Sequence, residues 1–287
     1  MTTHWYPGHM DKARRAIAES MSSIDVLIEV LDARMPAASC NPVITELRRD
    51  KPCLKILSKS DLADPTVTSD WIRHIEAEHA ASKVLVMALT ATRPSEARSR
   101  VAELCRQLAP HRVQPSKNVR AMVVGIPNVG KSTLINVLMD RKVAKTGDAP
   151  AVTKGQQLVT LKGGMTLFDN PGILWPTMEG NATLTLAFGG ALPDTAMDYE
   201  HVALFGAEFL LERYPGLLRA HFKLDALPSS PTELLEAIGR KRGCLIRGGK
   251  VDTHKAADAL VHDFRSGALG RITLETPPPS VSKRDSD

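Results

Sequence analysis

The stretch VRAMVVGIPNVGKSTLINVLM, residues 119–139, constrains the fold more than any other part of this 287-residue chain. A strand-like apolar run leads into GIPNVGKS, Gly125–Ser132, which fits GxxxxGK[ST] and opens directly into a helical pattern. The physics behind that spacing is specific. Glycines let backbone N–H groups turn inward on phosphate oxygens, and the start of a helix adds a favourable dipole. Lys131 is placed to reach the β- and γ-phosphates, and the Ser132 hydroxyl to ligate Mg²⁺. Asn128, Val129, Gly130 and Thr133 complete the loop that would wrap the nucleotide.

The same alternation of strand and helix fills the first 175 residues. Helical patterns are read over Asp11–Ser20, Val43–Arg49, Thr66–Ala80, Glu96–Leu108 and Lys131–Met139. Strands are read at Ile24–Leu31, Cys53–Leu57, Lys83–Leu89, Val119–Val124, Gln157–Leu161 and Met165–Phe168. This predicts an α/β fold, a mostly parallel sheet with helices on both faces. Beyond about residue 176 the strand patterns stop, and His201–Tyr214, Thr232–Arg240 and Lys255–Phe264 read as amphipathic helices. The expected division is 1–178 for the α/β domain, 179–275 for a small all-α domain, and 276–287 for a disordered tail.

Composition limits the partners. At 43% hydrophobic and 24% charged residues the chain has the makeup of a globular protein with ample core. Its longest apolar run, ATLTLAFGGAL, is shorter than the roughly 18–20 residues a membrane span needs. No membrane partner is therefore expected. The start, MTTHWYPGHM, has no signal-like apolar stretch, and the four cysteines show no metal or CxxC spacing, so a cytoplasmic chain with reduced thiols is expected. The formal charge of +5 is unevenly spread. Residues 1–175 hold 24 Lys/Arg against 17 Asp/Glu, whereas residues 176–287 hold 13 against 15. A polyanionic partner fits the first part; in the second only Arg240–Lys250, with five Lys/Arg, is locally basic.

Three further motifs end strands. DNPG, Asp169–Gly172, offers a carboxylate for Mg²⁺ through water and a glycine N–H, from Gly172, for the γ-phosphate. Thr153, in the loop between the phosphate loop and DNPG, is placed to add its hydroxyl to the metal shell. Upstream, LSKSD resembles the guanine-reading element of GTPases, with Ser58 at its first position. Asp61 would accept from guanine N1–H and N2–H₂, and the Lys59 stem would cover the base. ALTA, with Thr90 and Ala91, resembles the loop that supports that contact. The order is unusual, because the guanine elements precede the phosphate loop. Cutting the chain and rejoining it across Ala109–Lys117 preserves the spatial arrangement.

Taken as a set, WYPGHM, DARMP, SKSD, GIPNVGKSTLIN, VTKGQQ and DNPGILWP, with the C-terminal RGCLIRGGKVD and DFRSGALGRITLETP, resemble the circularly permuted GTPases of the ribosome biogenesis GTPase A (YlqF-like) family, over residues 4–277. The resemblance implies GTP hydrolysis to GDP, slow alone and stimulated by the particle, during assembly of the large ribosomal subunit. It implies binding of ribosomal RNA and the precursor particle, by a chain expected to be monomeric in solution. It also implies that Asn128 holds K⁺ in place of an arginine finger. Ser58 departs from the family's usual Asn, which predicts a weaker base contact, weaker links between loops and modest GTP affinity. Asn170 stands where many relatives have Thr.

The water-orienting position after DxxG is Ile173, which neither donates nor accepts. The family's candidate for that role is the histidine of PGHM, here His9. Pro7-Gly8 is read as a turn that folds this segment back, with Trp5 and Tyr6 as anchors. An alternative reading is an RNA-binding scaffold in which the nucleotide is mainly structural. A small-molecule kinase fits less well, since it leaves SKSD and ALTA unexplained.

Overall fold

The computed structural model describes residues 7–112, 117–139, 157–161, 164–169, 180–194 and 198–279, with the backbone alone at 7–13, 157–159 and 169. The strands are β1 (Val26–Asp32), β2 (Cys53–Ser58), β3 (Val84–Ala88), β4 (Val119–Val124), β5 (Gln157–Leu161) and β6 (Met165–Asp169). They form one sheet in the order β3-β2-β1-β4-β6-β5, parallel throughout except for β5 against β6. Every residue of β1 and β2 is buried, which is why these segments read as continuous rather than alternating runs.

Helices cover both faces. Val26, Ile28 and Val30 of β1 pack with α5 (Pro94–Leu108) and α6 (Lys131–Met139). On the other face Leu27 packs with Ile17 of α1 (Pro7–Ser20) and Ile44 of α3 (Pro42–Arg48), and Leu31 with Trp71 and Ile75 of α4 (Pro65–Glu78). Glu29 and Lys55, opposite each other in the β1–β2 register, form a buried pair at 2.7 Å on that second face. Burial opposes the Lys55 charge, but the Glu29 carboxylate outweighs it and raises the ammonium pKa.

The rejoining connector is anchored at its start. Asp25, just before β1, accepts from Arg112 Nε at 3.0 Å and from the Arg120 backbone N–H at 2.9 Å. Burial alone would raise its pKa; the Arg120 N–H and the Arg112 guanidinium together lower it.

Beyond the sheet lie α7 (Asn181–Phe188), α8 (Tyr199–Arg213), α9 (Pro215–Phe222), α10 (Pro231–Arg242) and α11 (Thr253–Ser266). Their apolar faces join the sheet core through the short α2 (Pro36–Ser39) and α7. Asp198, Ser230 and Asp252 side chains cap the starts of α8, α10 and α11. One difference from the sequence reading concerns a Pro-Gly pair. Pro7-Gly8 is the first turn of α1 and not a turn before it; Pro215-Gly216 opens α9 in the same way. Proline suits the first helical position, where its missing N–H costs no bond. A second difference is a small antiparallel bridge, Leu245 to Val251, between α10 and α11.

After α11 the chain returns to the sheet. The Ile272 N–H donates to Leu62 O (2.9 Å), Leu274 N–H to Arg34 O (2.6 Å), and Trp71 Nε1 to Glu275 O (3.0 Å). The Glu275 carboxylate accepts from the Ala37 and Ala38 N–H groups at 2.7 and 3.0 Å, closing the exposed start of α2. Burial pushes its pKa up to about 7; the Ala38 and Ala37 donors oppose the rise and the Asp32 carboxylate adds to it. The folded state therefore holds this proton more tightly than the unfolded chain, whose value lies near 4.5. The contribution is complete below pH 4.5 and is lost as pH rises through 7. Glu275→Gln is expected to flatten the pH dependence of stability across that window by on the order of 1–2 kcal/mol. Paired urea melts from pH 4 to pH 8 check this; parallel curves for the two proteins would rule it out.

Candidate nucleotide site

In an open parallel sheet, ligands sit beyond the carboxyl ends of the strands, at the point where strand order reverses. Here that point lies between β1 and β4. Each of the five parallel strands ends in a segment singled out from the sequence: β4 in the phosphate loop, β6 in DNPG, β2 in SKSD, β3 in ALTA and β1 in DARMP.

The phosphate loop is shaped for close backbone approach. Gly125 has φ +148°, and a Cβ there would lie 2.5 Å from Val30 O; Gly130 has φ +98°. Asn128 takes φ +59°, an unusual value outside glycine. Lys131, at the first residue of α6, is buried and donates to Ile126 O at 2.6 Å, across the loop it would share with phosphate. Val129 is buried, while Ser132 and Thr133 follow in the first turn of α6 with partial exposure.

SKSD lies against this loop. The Ser58 Oγ is 2.9 Å from Leu31 O and in contact with Val129 O, and its one proton serves the two carbonyls. A hydroxyl-to-carbonyl contact thus links SKSD to the phosphate loop. Lys59, at φ +54°, reaches Asp32 Oδ2 with its ammonium at 2.8 Å. Asp61 is exposed. The Ser60 N–H donates to Leu89 O at 3.3 Å, which holds SKSD beside ALTA. Thr90 Oγ1 shares a hydrogen bond of 2.8 Å with Thr92 Oγ1, and Ala91 is exposed between them. A cavity of about 370 Å³ opens along this edge, lined by Ser60, Ala88, Leu89, Thr90, Arg93 and Arg100.

Asp32 and Arg34 of DARMP, which the sequence reading left without a role, form the hub of the site. The buried Asp32 carboxylate accepts from Arg34 Nε (3.0 Å), Arg34 Nη2 (2.8 Å) and Lys59 Nζ (2.8 Å). Burial would raise its pKa, but the Arg34 and Lys59 charges hold it far below the usual carboxylate range. The Arg34 guanidinium also donates to Gly189 O at 3.0 Å. Next to it, Asn128 Nδ2 donates to Gly190 O at 2.9 Å. Arg265 donates to Ala187 O and Phe188 O at 2.7 and 3.1 Å. Four successive carbonyls at the end of α7, where internal donors run short, thereby accept from side chains of the phosphate loop, the β1 end and α11. Finding these contacts from sequence would require knowing that α7 exists. The signal in DARMP itself is an acid and a base two residues apart at a strand end.

The remaining candidates are only partly visible. Asp169 closes β6 opposite Val123 of β4, one strand from the phosphate loop, by its backbone position. His9 lies in the first turn of α1, and its side chain is outside the described residues, as are Thr153, Asn170, Gly172 and Ile173. Among the described residues no group of His, Cys, Asp or Glu clusters as a metal site. No described helix is long and apolar enough to cross a membrane.

Comparison with known proteins agrees with this geometry. Residues 120–197 match the family model described as 50S ribosome-binding GTPase. The chain is 40% identical to "Ribosome biogenesis GTPase A" of Bacillus cereus, across 96% of this chain and 95% of that protein. The structure of GNP-bound YlqF from T. maritima superposes with a TM-score of 0.66 at 26% identity, covering 93% of this chain and 98% of that one. A GDP-bound YlqF structure superposes at 0.67 and 24%, covering 92% and 99%, which shows the same fold. With SKSD and ALTA placed ahead of the phosphate loop in sequence yet beside it in the sheet, the chain belongs to the ribosome biogenesis GTPase A family of GTP-hydrolysing enzymes.

Proposed function

We propose that this chain acts as an assembly factor for the large ribosomal subunit, binding ribosomal RNA and the precursor particle and changing state on GTP hydrolysis. The carrying observation is the convergence of the phosphate loop, SKSD and ALTA at one end of the sheet, one strand away from β6 and joined to α7 by Asn128 and Arg34. The names of the matched family model and of the B. cereus relative support the ribosomal assignment. In this reading residues 1–178 form the nucleotide-binding domain, residues 179–275 the helical domain, and residues 276–287 a tail.

Within the site, Asp61 reads guanine N1–H and N2–H₂, Lys59 covers the base, and Thr90 and Ala91 support the loop. Gly130, Lys131, Ser132 and Thr133, with Val129, grip the phosphates, and Gly172 donates to the γ-phosphate. Ser132, Thr153 and Asp169 would hold Mg²⁺, Asp169 through water. The donor set suits it: a hydroxyl and a carboxylate at neighbouring strand ends are hard oxygen ligands. Bound Mg²⁺ would neutralise phosphate charge. Asn128 would turn from Gly190 to present its oxygen to K⁺.

Hydrolysis needs a polar group near the attacking water, and we assign it to His9. His9→Ala is expected to leave GTP binding within about twofold and to lower particle-stimulated turnover by about 10²-fold, the lower range for a positioned acid–base group. Unchanged stimulated turnover with normal binding would sink the assignment. Turnover measured with and without large-subunit precursors tests the function as a whole, since a scaffold would show no stimulation. Guanine preference is read by competition: ATP displacing GTP as well as GDP does would refute the Asp61 assignment.

A further inference from the structure

The five cations of Arg240–Lys250 are not equivalent in the structure. Arg240 pairs with Glu236 at 3.1 Å, one helical turn away, and Lys241 pairs with Asp225 at 3.1 Å. Arg242 is in contact with the Asp263 carboxylate and lies over the Phe222 ring at 5.5 Å. These three are engaged by acidic side chains of α10, α11 and the α9–α10 loop. Arg247 and Lys250 have no acidic partner among the described residues.

Both unpaired cations sit on a short hairpin between α10 and α11. The Leu245–Val251 bridge closes its base, with the Asp252 N–H donating to Cys244 O at 2.8 Å and the Ile246 N–H to Lys250 O at 2.9 Å. The turn is made by Gly249 N–H donating to Ile246 O, with Gly248 and Gly249 at φ +92° and +75°. A Cβ on either glycine would meet nothing within 4 Å, so the tip projects into open space. Val251 packs onto Gly239 of α10 and fixes the root. Of the three large hydrophobic residues most exposed among those described, two are here: Leu245 at 48% and Ile246 at 50%.

Two unpaired cations beside two exposed aliphatic side chains, on a backbone held by its own hydrogen bonds, match one kind of partner well. Unpaired nucleotides offer phosphates to Lys and Arg and base or ribose faces to apolar groups, whereas a duplex hides those faces. We propose that the Cys244–Asp252 hairpin is the RNA-contacting element of the helical region, gripping an unpaired stretch of ribosomal RNA through Arg247 and Lys250 with Leu245 and Ile246 packed on bases. The proposal rests on the ribosomal RNA reading above. It narrows the basic cluster Arg240–Lys250 to the hairpin tip.

The test uses the full chain and deproteinised large-subunit ribosomal RNA, titrated between 50 and 300 mM salt. Arg247→Ala with Lys250→Ala is expected to weaken binding at least tenfold at 100 mM salt and to reduce the salt slope by about 1.4, the share of two phosphate contacts on a single strand. Leu245→Ser with Ile246→Ser is expected to weaken binding three- to tenfold with the slope unchanged. Arg240→Ala with Lys241→Ala, whose cations are already paired, is expected to change affinity less than threefold. Particle-free GTP turnover and melting temperature should stay at the unmodified values in the tip variants. Equal affinity and slope for the Arg247/Lys250 variant overturn the proposal while leaving RNA binding intact. Loss of binding to intact precursor particles, without loss on bare RNA, overturns it in favour of a protein partner. No binding of the unmodified chain to the RNA overturns the ribosomal RNA reading itself, and this proposal with it.

Discussion

Arg34→Met is expected to lower the free energy of unfolding by about 3–5 kcal/mol, the usual cost of removing one partner from a buried ion pair. Asp32 is fully buried and Arg34 nearly so, and three of the hydrogen bonds to the Asp32 side chain come from Arg34, one of them from its backbone. Without the guanidinium only Lys59, itself about a quarter exposed, would balance the carboxylate. The same change removes the donor to Gly189 O and the cation lying 5.1 Å over the Phe264 ring. Lys59 would then be drawn more firmly to Asp32, and GTP affinity should fall along with stability. Asp32→Asn added to Arg34→Met should restore part of the loss, because the amide carries no charge to neutralise. Chemical denaturation of the three proteins decides the point. A cost below about 1 kcal/mol for the single variant would mean that Lys59 alone suffices.

How far the sequence revealed this arrangement depended on the range of the forces involved. β4, α6 and β5 have the bounds read from their patterns, because each is defined by local periodicity with a glycine-rich loop or a turn beside it. Helix α7 was missed for a physical reason. Five of its eight residues are buried, so it carries no polar face to set a helical period. Pro7-Gly8 misled because the same dipeptide serves a turn and a helix start, and only the following residues' packing separates the two. The basic cluster at Arg240–Lys250 was legible as a count of charges, but which cations are free depends on Asp225 and Asp263, distant in sequence. The Asn128–Gly190 and Arg34–Gly189 contacts, and the return of residues 271–275 to SKSD and α2, are long-range in the same sense. The candidate site was therefore readable as a set of strand-end motifs. Its connection to the helical region was not.

Lys131→Met is expected to weaken GTP binding by about 10²–10³-fold while leaving the ligand-free protein as stable as before, within about 1 kcal/mol. The two halves follow from one geometry. In the fold the ammonium is buried and donates to Ile126 O. Exchanging that cation for an apolar chain of similar length removes a desolvated charge together with its contact to a neutral carbonyl, which is close to neutral in stability. With nucleotide present the same ammonium would face the β- and γ-phosphates. Charge-assisted hydrogen bonds contribute about 1.5–3 kcal/mol each, so losing two costs about 3–4 kcal/mol after partial compensation by the loop N–H groups. Thermal melts with and without GTP separate these effects, because ligand binding stabilises only the folded chain. The unmodified protein should gain melting temperature with GTP, and the Lys131→Met protein should lose that gain at the same concentration. An equal gain in both would show that the phosphates lie elsewhere. A ligand-free melt lowered by more than about 2 kcal/mol would instead show that Lys131 holds the loop in shape as well as the nucleotide.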